Sequence, residues 1–435
     1  MRRANPTKSS RRVAETLREA GFPLVVEAVS PVDRSGGVVL DAIAYDILDG
    51  QLQLAAAAAT ASAAKGLVLE RALSDLATAR DVLGTTSHYV VVDGEWMVAN
   101  PGLTSVTPLA QPAPASARRY DRDRILVRDE YVLTELLRRR LWGIADTTRG
   151  AGFDVVAATS DLLEDLAHNG LHVGPYEVEA DRATLWAALV ATVRGAAERQ
   201  RHGAEHVSSA AVANAVAELL GPLRHGDAYD PFCGVGSFLW AVGSRARHVN
   251  VDIQLSGQEI GSETARLAAA VASFSPSPIA IEMGDSFRPP TRQNLFRYIV
   301  SAPPIGMRLN PDQLPAGLPA RRSESAAIAL AAEALVANGR AVLHLPNSWL
   351  FNGESAPLRE ALAREFSVLA IVGLPSGSVP GTGIPSNLLV FDKRTAPVGH
   401  ETFIAQLGED WAEQLAPNGG ALGAYRSYLE GLALT

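Results

Sequence analysis

The fold is decided by residues 229–239, which read Tyr229-Asp230-Pro231-Phe232-Cys233-Gly234-Val235-Gly236-Ser237-Phe238-Leu239. The short apolar run at residues 228–230 predicts a strand, and the apolar residues after Gly236 predict a helix. Strand, glycine-containing turn and helix in this order let backbone N–H groups approach a ligand closely, because glycine has no Cβ atom. The pattern therefore predicts a ligand-binding turn at the carboxyl end of a strand.

Two acidic residues follow this turn at the ends of the next predicted strands. Glu259 closes a strand at residues 255–260, about 23 residues after Gly236, near the ~20-residue spacing at which an acid binds a ribose in nucleotide-binding sheets. Asp285 follows a strand at residues 279–283. The three strand ends predict one ligand crevice. A structural turn with two helix-capping acids is the alternative.

Four more apolar runs continue the pattern downstream. With the three above they make seven predicted strands, which alternate with helical patterns, as in a mainly parallel sheet wrapped by helices. The four strands are predicted at residues 298–301, 339–345, 368–374 and 387–392. The sequence therefore predicts an α/β fold in this half of the chain.

The same half resembles the modification subunits of type I restriction-modification systems, which are adenine-specific DNA methyltransferases of the N-6 DNA methylase family. The resemblance covers about residues 129 to 395 and implies a class I methyltransferase domain with a Rossmann-like seven-stranded sheet. It rests on the segments 230–239, 257–260, 284–285, 303–306, 337–341, 345–347, 350–351, 358–359, 373–377 and 382–385.

The resemblance also implies S-adenosyl-L-methionine as the cofactor. Asp230, Gly234 and Gly236 are expected at its methionine end, Glu259 at the ribose and Asp285 at the adenine amino group. Two further residues, Phe232 and Ser208, complete the predicted cofactor-binding set. Ser208 belongs to Ala204-Glu205-His206-Val207-Ser208-Ser209, aligned with a family element of sequence Gly-Glu-aromatic-aromatic-Thr-Pro. The hydroxyl is kept, but both aromatic residues are missing.

The predicted catalytic motif departs from the family pattern Asn-Pro-Pro-aromatic. This chain has Ala302-Pro303-Pro304-Ile305. Methylation of the adenine amino group needs a hydrogen-bond acceptor for that amine and a flat ring that stacks on the flipped base. Ala302 supplies no acceptor and Ile305 no ring, and a strand points Ser301 to the opposite face. The carbonyl of Pro303 remains as an acceptor.

The altered motif predicts a family member with weak or lost catalysis. Two alternatives stay open, namely an active methyltransferase that uses the altered motif and a non-catalytic binding or regulatory protein. Six arginines and one acid lie between residues 286 and 322 around the motif. This segment is predicted to be either a phosphate-facing rim or a solvated loop. The arginines are Arg288, Arg292, Arg297, Arg308, Arg321 and Arg322.

Four segments are predicted along the chain. A small α/β domain at residues 1–112 is followed by a helical domain at 113–200, the methyltransferase domain at 201–395 and a helical extension at 396–435. The first boundary rests on the proline-rich stretch at residues 107–116, which can form neither a helix nor a central strand.

The first segment has the predicted order strand, hairpin, helix, hairpin. This order resembles the PD-(D/E)xK nuclease-type domain of type I restriction subunits, in which Asp41 would be the metal-binding aspartate. The Glu-x-Lys pair expected at the end of the second strand is replaced by alanines at residues 55–59. We therefore expect neither metal binding nor cleavage of DNA by this domain.

Composition limits the partners of the protein. A net charge of −8 argues against non-specific coating of nucleic acid. The resemblance implies DNA as the partner, and an acidic chain is expected to reach it through a specificity subunit or another partner protein. The single cysteine, Cys233, excludes an internal disulfide and a thiolate zinc site. Without a long apolar run or a secretory signal, the expected location is the cytoplasm, with no membrane contact.

Overall fold

A computed structural model describes most of the chain. The described residues are 2–3, 6–30, 39–61, 68–120, 122–147, 154–198, 204–288, 292–309, 321–379, 382–393 and 401–432. The chain divides into two compact units: Met1–Leu136 with Leu166–Thr184, and Leu137–Asp165 with Leu185–Thr435. Each unit contains one β-sheet. Among the described residues, no helix combines the length and the apolar character needed to cross a membrane.

The first unit is built on a ten-stranded sheet. Its strands are β1 (Arg2–Arg3), β2 (Leu24–Ser30), β3 (Leu40–Leu48), β4 (Gln51–Ala61), β5 (Ser87–Val92), β6 (Glu95–Ala99), β7 (Val106–Pro108), β8 (Arg124–Leu126), β9 (His172–Val173) and β10 (Tyr176–Glu179). Strands β1 to β7 follow one another in chain order, and β8 pairs with β4 and β10. The helices are α1 (Lys8–Glu19) and α2 (Leu69–Leu83). Three more, α3 (Glu130–Thr147), α4 (Val155–Asn169) and α5 (Arg182–Ala197), contribute residues to both units.

The predicted order of strand, hairpin, helix and hairpin is confirmed as β3, β4, α2 and the β5–β6 hairpin. Asp41 lies on β3. The alanines at residues 55–59 are buried within β4, which pairs in parallel with β5. The alanine run therefore packs the interior of this sheet, and the nuclease-like character of the unit stays a prediction.

The predicted boundary at residues 107–116 does not separate the two units. The stretch lies within the first unit, where the buried Asp46 carboxylate accepts hydrogen bonds from the N–H groups of Ser116 (2.6 Å) and Ala117 (2.8 Å). Likewise, the segment predicted as a helical domain contains β8, β9 and β10 beside its three helices. The difference arises because these short strands pair within the first sheet.

The second unit alternates strands and helices. Its strands are β11 (Gly226–Asp230), β12 (Ile253–Glu259), β13 (Ile279–Met283), β14 (Phe296–Ser301), β15 (Leu335–Pro346), β16 (Ser367–Leu374), β17 (Ser386–Asp392) and β18 (Phe403–Gln406). Its helices are α6 (Ala210–Leu219), α7 (Ser237–His248), α8 (Ser262–Ser273), α9 (Ser323–Ala334), α10 (Ser348–Phe351), α11 (Ala356–Glu365), α12 (Trp411–Gln414) and α13 (Gly420–Gly431).

The strands of this sheet lie in the order β13-β12-β11-β14-β15-β17-β16-β18. Neighbours are parallel except β17, which runs antiparallel to both β15 and β16. The chain leaves β11 toward β12 and later returns to the other side of β11 as β14. Such a switch point opens a crevice at the carboxyl ends of the strands.

All seven predicted strands are present, and the predicted Rossmann-like α/β architecture is confirmed. The sheet has an eighth strand, β18, so the predicted helical extension at 396–435 was wrong in this part. β18 is four residues long, lies at the sheet edge and alternates half-buried and exposed residues. A pattern this short and this polar is weak evidence of a strand in the sequence.

Successive side chains of the central strands enter two different cores. Ala228 and Val342 pack with α6, α7 and α13, whereas Tyr229 and Leu343 pack with α9 and α11 on the other face. Both faces of the sheet are therefore covered by helices, as in other mainly parallel sheets.

A buried ion pair joins two neighbouring strands, β15 and β17. The guanidinium of Arg340 on β15 donates to the Asp392 carboxylate on β17, with Nε–Oδ1 at 2.6 Å and Nη2–Oδ2 at 3.0 Å. Its Nη1 donates to the carbonyl of Leu220, just after α6, at 2.9 Å. A Cβ atom on the neighbouring Gly221 would lie 2.4 Å from this Nη1, so glycine is required there. The pair thus ties the sheet to the end of α6.

Replacing Asp392 with alanine should lower the free energy of unfolding by about 3–5 kcal/mol, because Arg340 would stay buried without its counter-charge. Urea unfolding followed by circular dichroism measures the change. The exposed pair of Arg364 and Glu365 is the control, and Glu365→Ala should cost at most about 1 kcal/mol. Equal losses for the two variants would contradict a structural role of the buried pair.

Candidate functional site

The turn between β11 and α7 is held by the segment before it in the chain. Gly234 and Gly236 have positive φ angles of 53° and 99°, which glycine adopts without strain. A Cβ atom on Gly234 would lie 2.4 Å from the carbonyl oxygen of His206. That same carbonyl accepts a hydrogen bond from the N–H of Val235 at 3.1 Å. The backbone of the predicted glycine turn therefore packs directly against the backbone of His206.

Glu259, at the end of β12, holds the turn through hydrogen bonds. Its Oε2 accepts a hydrogen bond from the N–H of Gly234 at 3.1 Å, and its Oε1 accepts from the N–H of Gly261 at 2.8 Å. The side chain is 8% exposed. The sequence located this carboxylate at the crevice but did not reveal that it also fastens the glycine turn to β12.

Asp230, the last residue of β11, is a buried carboxylate. Its Oδ1 accepts hydrogen bonds from the hydroxyl of Ser301 at 2.8 Å and from the N–H of Phe232 at 3.1 Å. Burial raises the pKa of Asp230 to about 7, with a smaller contribution from the negative charge of Glu259, although the two hydrogen bonds oppose the rise. Ser301 is itself fully buried, and its hydroxyl is engaged with Asp230.

The loop after β13 closes the third side of the site. Asp285 accepts a hydrogen bond from the N–H of Phe287 at 3.0 Å and contacts Arg288 at 3.3 Å. The ring of Phe287 lies 4.8 Å from that of Phe232, between ring centres. The Ser286 hydroxyl donates to the carbonyl of Pro231 at 2.6 Å. These contacts join the loop to the glycine turn.

The strand ends surround one cavity of about 460 Å³. Six of the seven predicted cofactor-binding residues line it, and so do three residues of the altered motif. The nine are Ser208, Asp230, Phe232, Gly234, Glu259, Asp285, Ala302, Pro304 and Ile305. Gly236 instead caps the start of α7. The lining residues Ile260 and Met307, 68% and 43% exposed, were not singled out in the sequence.

The altered motif forms a loop whose backbone is fixed by α9. The Ser323 hydroxyl donates to the carbonyl of Pro304 at 2.6 Å. The Glu324 carboxylate, 3% exposed, accepts from the N–H of Gly306 at 2.6 Å. Ala302 is half-buried against the core, and Ile305 is 38% exposed. The part of the cavity lining that the motif contributes therefore carries aliphatic side chains on an anchored backbone.

Several of the arginines around the motif are paired with acids. Arg288 contacts Asp285, Arg292 contacts Glu282, and Arg308 and Arg322 share Glu354. Arg292 also lies over the ring of Tyr229, 4.9 Å from its centre. Pairing lowers the free positive charge of the segment, and both predicted readings, a phosphate-facing rim and a solvated loop, stay open.

Replacing Asp230 with asparagine should stabilise the protein more at pH 8 than at pH 5. The folded-state pKa lies above the unfolded value of 3.8, so the folded protein loses stability as pH rises toward 7 and this carboxyl ionises. Asparagine keeps an oxygen for Ser301 and Phe232 and carries no charge. Thermal unfolding should show a Tm increase of roughly a few degrees at pH 8. A variant no more stable at pH 8 than at pH 5, or an equal gain for the half-buried Asp227→Asn control, would contradict the assignment.

Comparison with known proteins places this geometry in a family. The model of the N-6 DNA methylase family matches residues 194–414, just over half of the chain. A search of curated proteins returns no significant match. A protein described as a class I S-adenosylmethionine-dependent methyltransferase from Listeria monocytogenes superposes with a TM-score of 0.52 at 15% identity, over 68% of this chain and 99% of its own.

Two type I proteins superpose with lower scores and add nothing to the fold assignment. One is described as a type I modification subunit from Vibrio vulnificus YJ016 (TM-score 0.44, 19% identity, 72% of this chain and 69% of its own). The other is a type I methyltransferase subunit from Streptococcus thermophilus (TM-score 0.46, 19% identity, 62% of this chain and 62% of its own).

The family match covers the sheet, the glycine turn and the altered motif together, and the chain belongs to the N-6 DNA methylase family.

Proposed function

We propose that this protein binds S-adenosyl-L-methionine in the cavity above β11, β12 and β13 and transfers its methyl group to adenine weakly or not at all. One observation carries the proposal. The wall formed by Asp230, Gly234 and Glu259 keeps carboxylates and a glycine turn, whereas the wall formed by Ala302 and Ile305 has neither an acceptor side chain nor a ring. The site combines features for binding the cofactor with the loss of those for chemistry.

The cofactor-facing wall suits a positively charged ligand. Asp230 and Glu259 bring two buried carboxylates to one cavity, and a sulfonium and an ammonium group would offset their charge. The close approach at Gly234 leaves no space for a side chain beside the turn. A volume of about 460 Å³ falls within the range of about 300–1,000 Å³ of small-molecule sites. These features support the fit of the cofactor.

Each residue of the set has an assigned role in this proposal. Asp230 and the backbone around Gly234 face the methionine end, Glu259 holds the ribose and Asp285 holds the adenine amino group. Phe232 and Ser208 complete the wall. The bound cofactor would supply a methyl group on a sulfonium, and these side chains bind and orient it.

The motif side of the cavity cannot polarise the adenine amine as the family motif does. Ala302 has no acceptor, and the carbonyl of Pro304 is already bonded to the Ser323 hydroxyl. Loss of one preorganised polar group costs about 3–4 kcal/mol in the transition state in other enzymes. The carbonyl of Pro303 is the acceptor on which an active enzyme with an altered motif would depend, and that reading is the second candidate.

DNA is the proposed nucleic-acid partner, reached together with a specificity subunit or another protein. The resemblance to type I modification subunits supports this arrangement. So does the net charge of −8, because an acidic chain gains little from phosphate neutralisation by itself. A regulatory role without methyl transfer is compatible with the same partners.

Calorimetry with S-adenosyl-L-methionine tests the cofactor proposal. The wild type should bind, and Glu259→Ala should weaken binding by about 1.5–3 kcal/mol, since the ribose loses a charged partner and the glycine turn loses its anchor. Glu263→Ala is the control, because this acid lies in the first turn of α8 outside the cavity. No binding by the wild type at millimolar ligand would refute the proposal and favour an inert scaffold.

Restoring the family side chains tests the catalytic proposal. Wild type should transfer little or no labelled methyl to adenine in DNA, and the double variant Ala302→Asn with Ile305→Phe should transfer more. The anchored loop gives the new side chains a fixed backbone, and recovery should be partial. The single variant Ile305→Leu, which adds neither acceptor nor ring, is the matched control. Robust methylation of adenine by the wild type would show that the altered motif is competent.

A further inference from the structure

A carboxylate lies between two arginines at the rim of the cavity. The Oε1 of Glu354 is 3.5 Å from Nη2 of Arg308, and its Oε2 is 3.1 Å from Nε of Arg322. The two arginines are paired by an isolated antiparallel bridge between their backbones. Glu354 itself sits in the turn after α10, where the side chain of Asn352 accepts a hydrogen bond from its N–H at 2.9 Å. The three side chains form a defined cluster, the Arg308–Arg322–Glu354 rim.

The charges of this rim do not balance. Two guanidinium groups share one carboxylate, and the adjacent Arg321 is exposed, while the whole chain carries a net charge of −8. The side chains of Arg308 and Glu354 are 64% and 49% exposed. Ion pairs this exposed contribute about 0–1 kcal/mol each. A competing anion can therefore displace Glu354 at little cost.

The position of the rim identifies the competing anion. Arg308 lines the cavity together with Ile305 and Met307, two partly exposed apolar side chains of the motif loop. An apolar wall beside paired guanidinium groups suits a base with its adjoining phosphate. Enzymes that act on a base turn it out of the helix into the pocket, so its flanking phosphate comes to lie at the pocket rim.

We propose that Arg308 and Arg322 bind a DNA phosphate at the mouth of the cavity, and that Glu354 occupies this phosphate site in the free protein. The proposal rests on the proposed DNA partner and adds the point of contact and its internal competitor. Binding exchanges one carboxylate for one phosphodiester between the same two guanidinium groups. Glu354 thereby lowers the affinity of the free protein for DNA.

The test measures binding of the full chain to a fluorescein-labelled 20-base-pair DNA duplex by fluorescence anisotropy. Glu354→Gln should tighten binding about threefold, whereas Glu365→Gln, which changes the net charge equally at the exposed Arg364–Glu365 pair, should change it less than about 1.5-fold. The double variant Arg308→Gln with Arg322→Gln should weaken binding at least about fivefold and lower the slope of log K against log salt by about 1. Arg364→Gln is its control.

Three outcomes would overturn the proposal. The first is equal tightening by Glu354→Gln and Glu365→Gln, which would indicate a non-specific charge effect. The second is wild-type affinity and salt slope in the double arginine variant. The third is binding of the duplex by the wild type that Glu354→Gln does not tighten.

Calorimetry with S-adenosyl-L-methionine on the same samples separates this proposal from the cofactor proposal. Glu354→Gln should bind the cofactor as the wild type does. Normal cofactor binding with no effect of the rim variants on DNA refutes the phosphate site alone. Absence of cofactor binding by the wild type refutes the cofactor proposal, whatever the arginine variants show.

Discussion

The contact at Gly234 is the constraint on which the site depends. The Cα of this glycine faces the carbonyl of His206, with no space for a Cβ atom, while its N–H donates to Glu259. One residue is thus held by the chain before β11 and by the end of β12. These two contacts hold the turn in place, and the turn in turn sets the start of α7 and the end of β11 at Asp230. The cavity forms around that fixed point.

This constraint places the Asp230 carboxylate in a buried position, where its negative charge does not stabilise the free protein. Asp230 is buried, and burial raises its pKa to about 7, so its ionised form destabilises the fold at neutral pH. Asparagine could keep both of its hydrogen bonds without that cost. A buried carboxylate that opposes folding is understandable if a cation enters the cavity, and sites of this kind commonly trade stability for function. The buried carboxylate is thus compatible with the proposed cationic cofactor.

The sequence allowed most of the sheet to be predicted because seven of its eight strands are short, largely apolar runs, each followed by a turn or a polar residue. It could not reveal β8 to β10 or β18, because strands of two to four residues are too short to show a clear periodicity. The partners of β8 also lie far away in the chain, as with Leu126 opposite Gln51. At the site, strand ends predicted the positions of Asp230, Glu259 and Asp285. The contacts of His206, Ser301 and Glu324 depend on tertiary packing and have no counterpart in local sequence.

The two walls of the cavity differ in how strongly the fold constrains them. Ser323 and Glu324 hold the motif loop through the carbonyl of Pro304 and the N–H of Gly306, so its path does not depend on the side chains at 302 and 305. An acceptor and a ring can be exchanged there for alanine and isoleucine without disturbing the sheet. The residues of the cofactor wall cannot be exchanged in the same way, because Gly234 and Glu259 form contacts that hold the turn. Chemistry at this site can therefore be lost while the fold and the shape of the cofactor wall are kept, and an altered motif is no sign that binding has been lost with it.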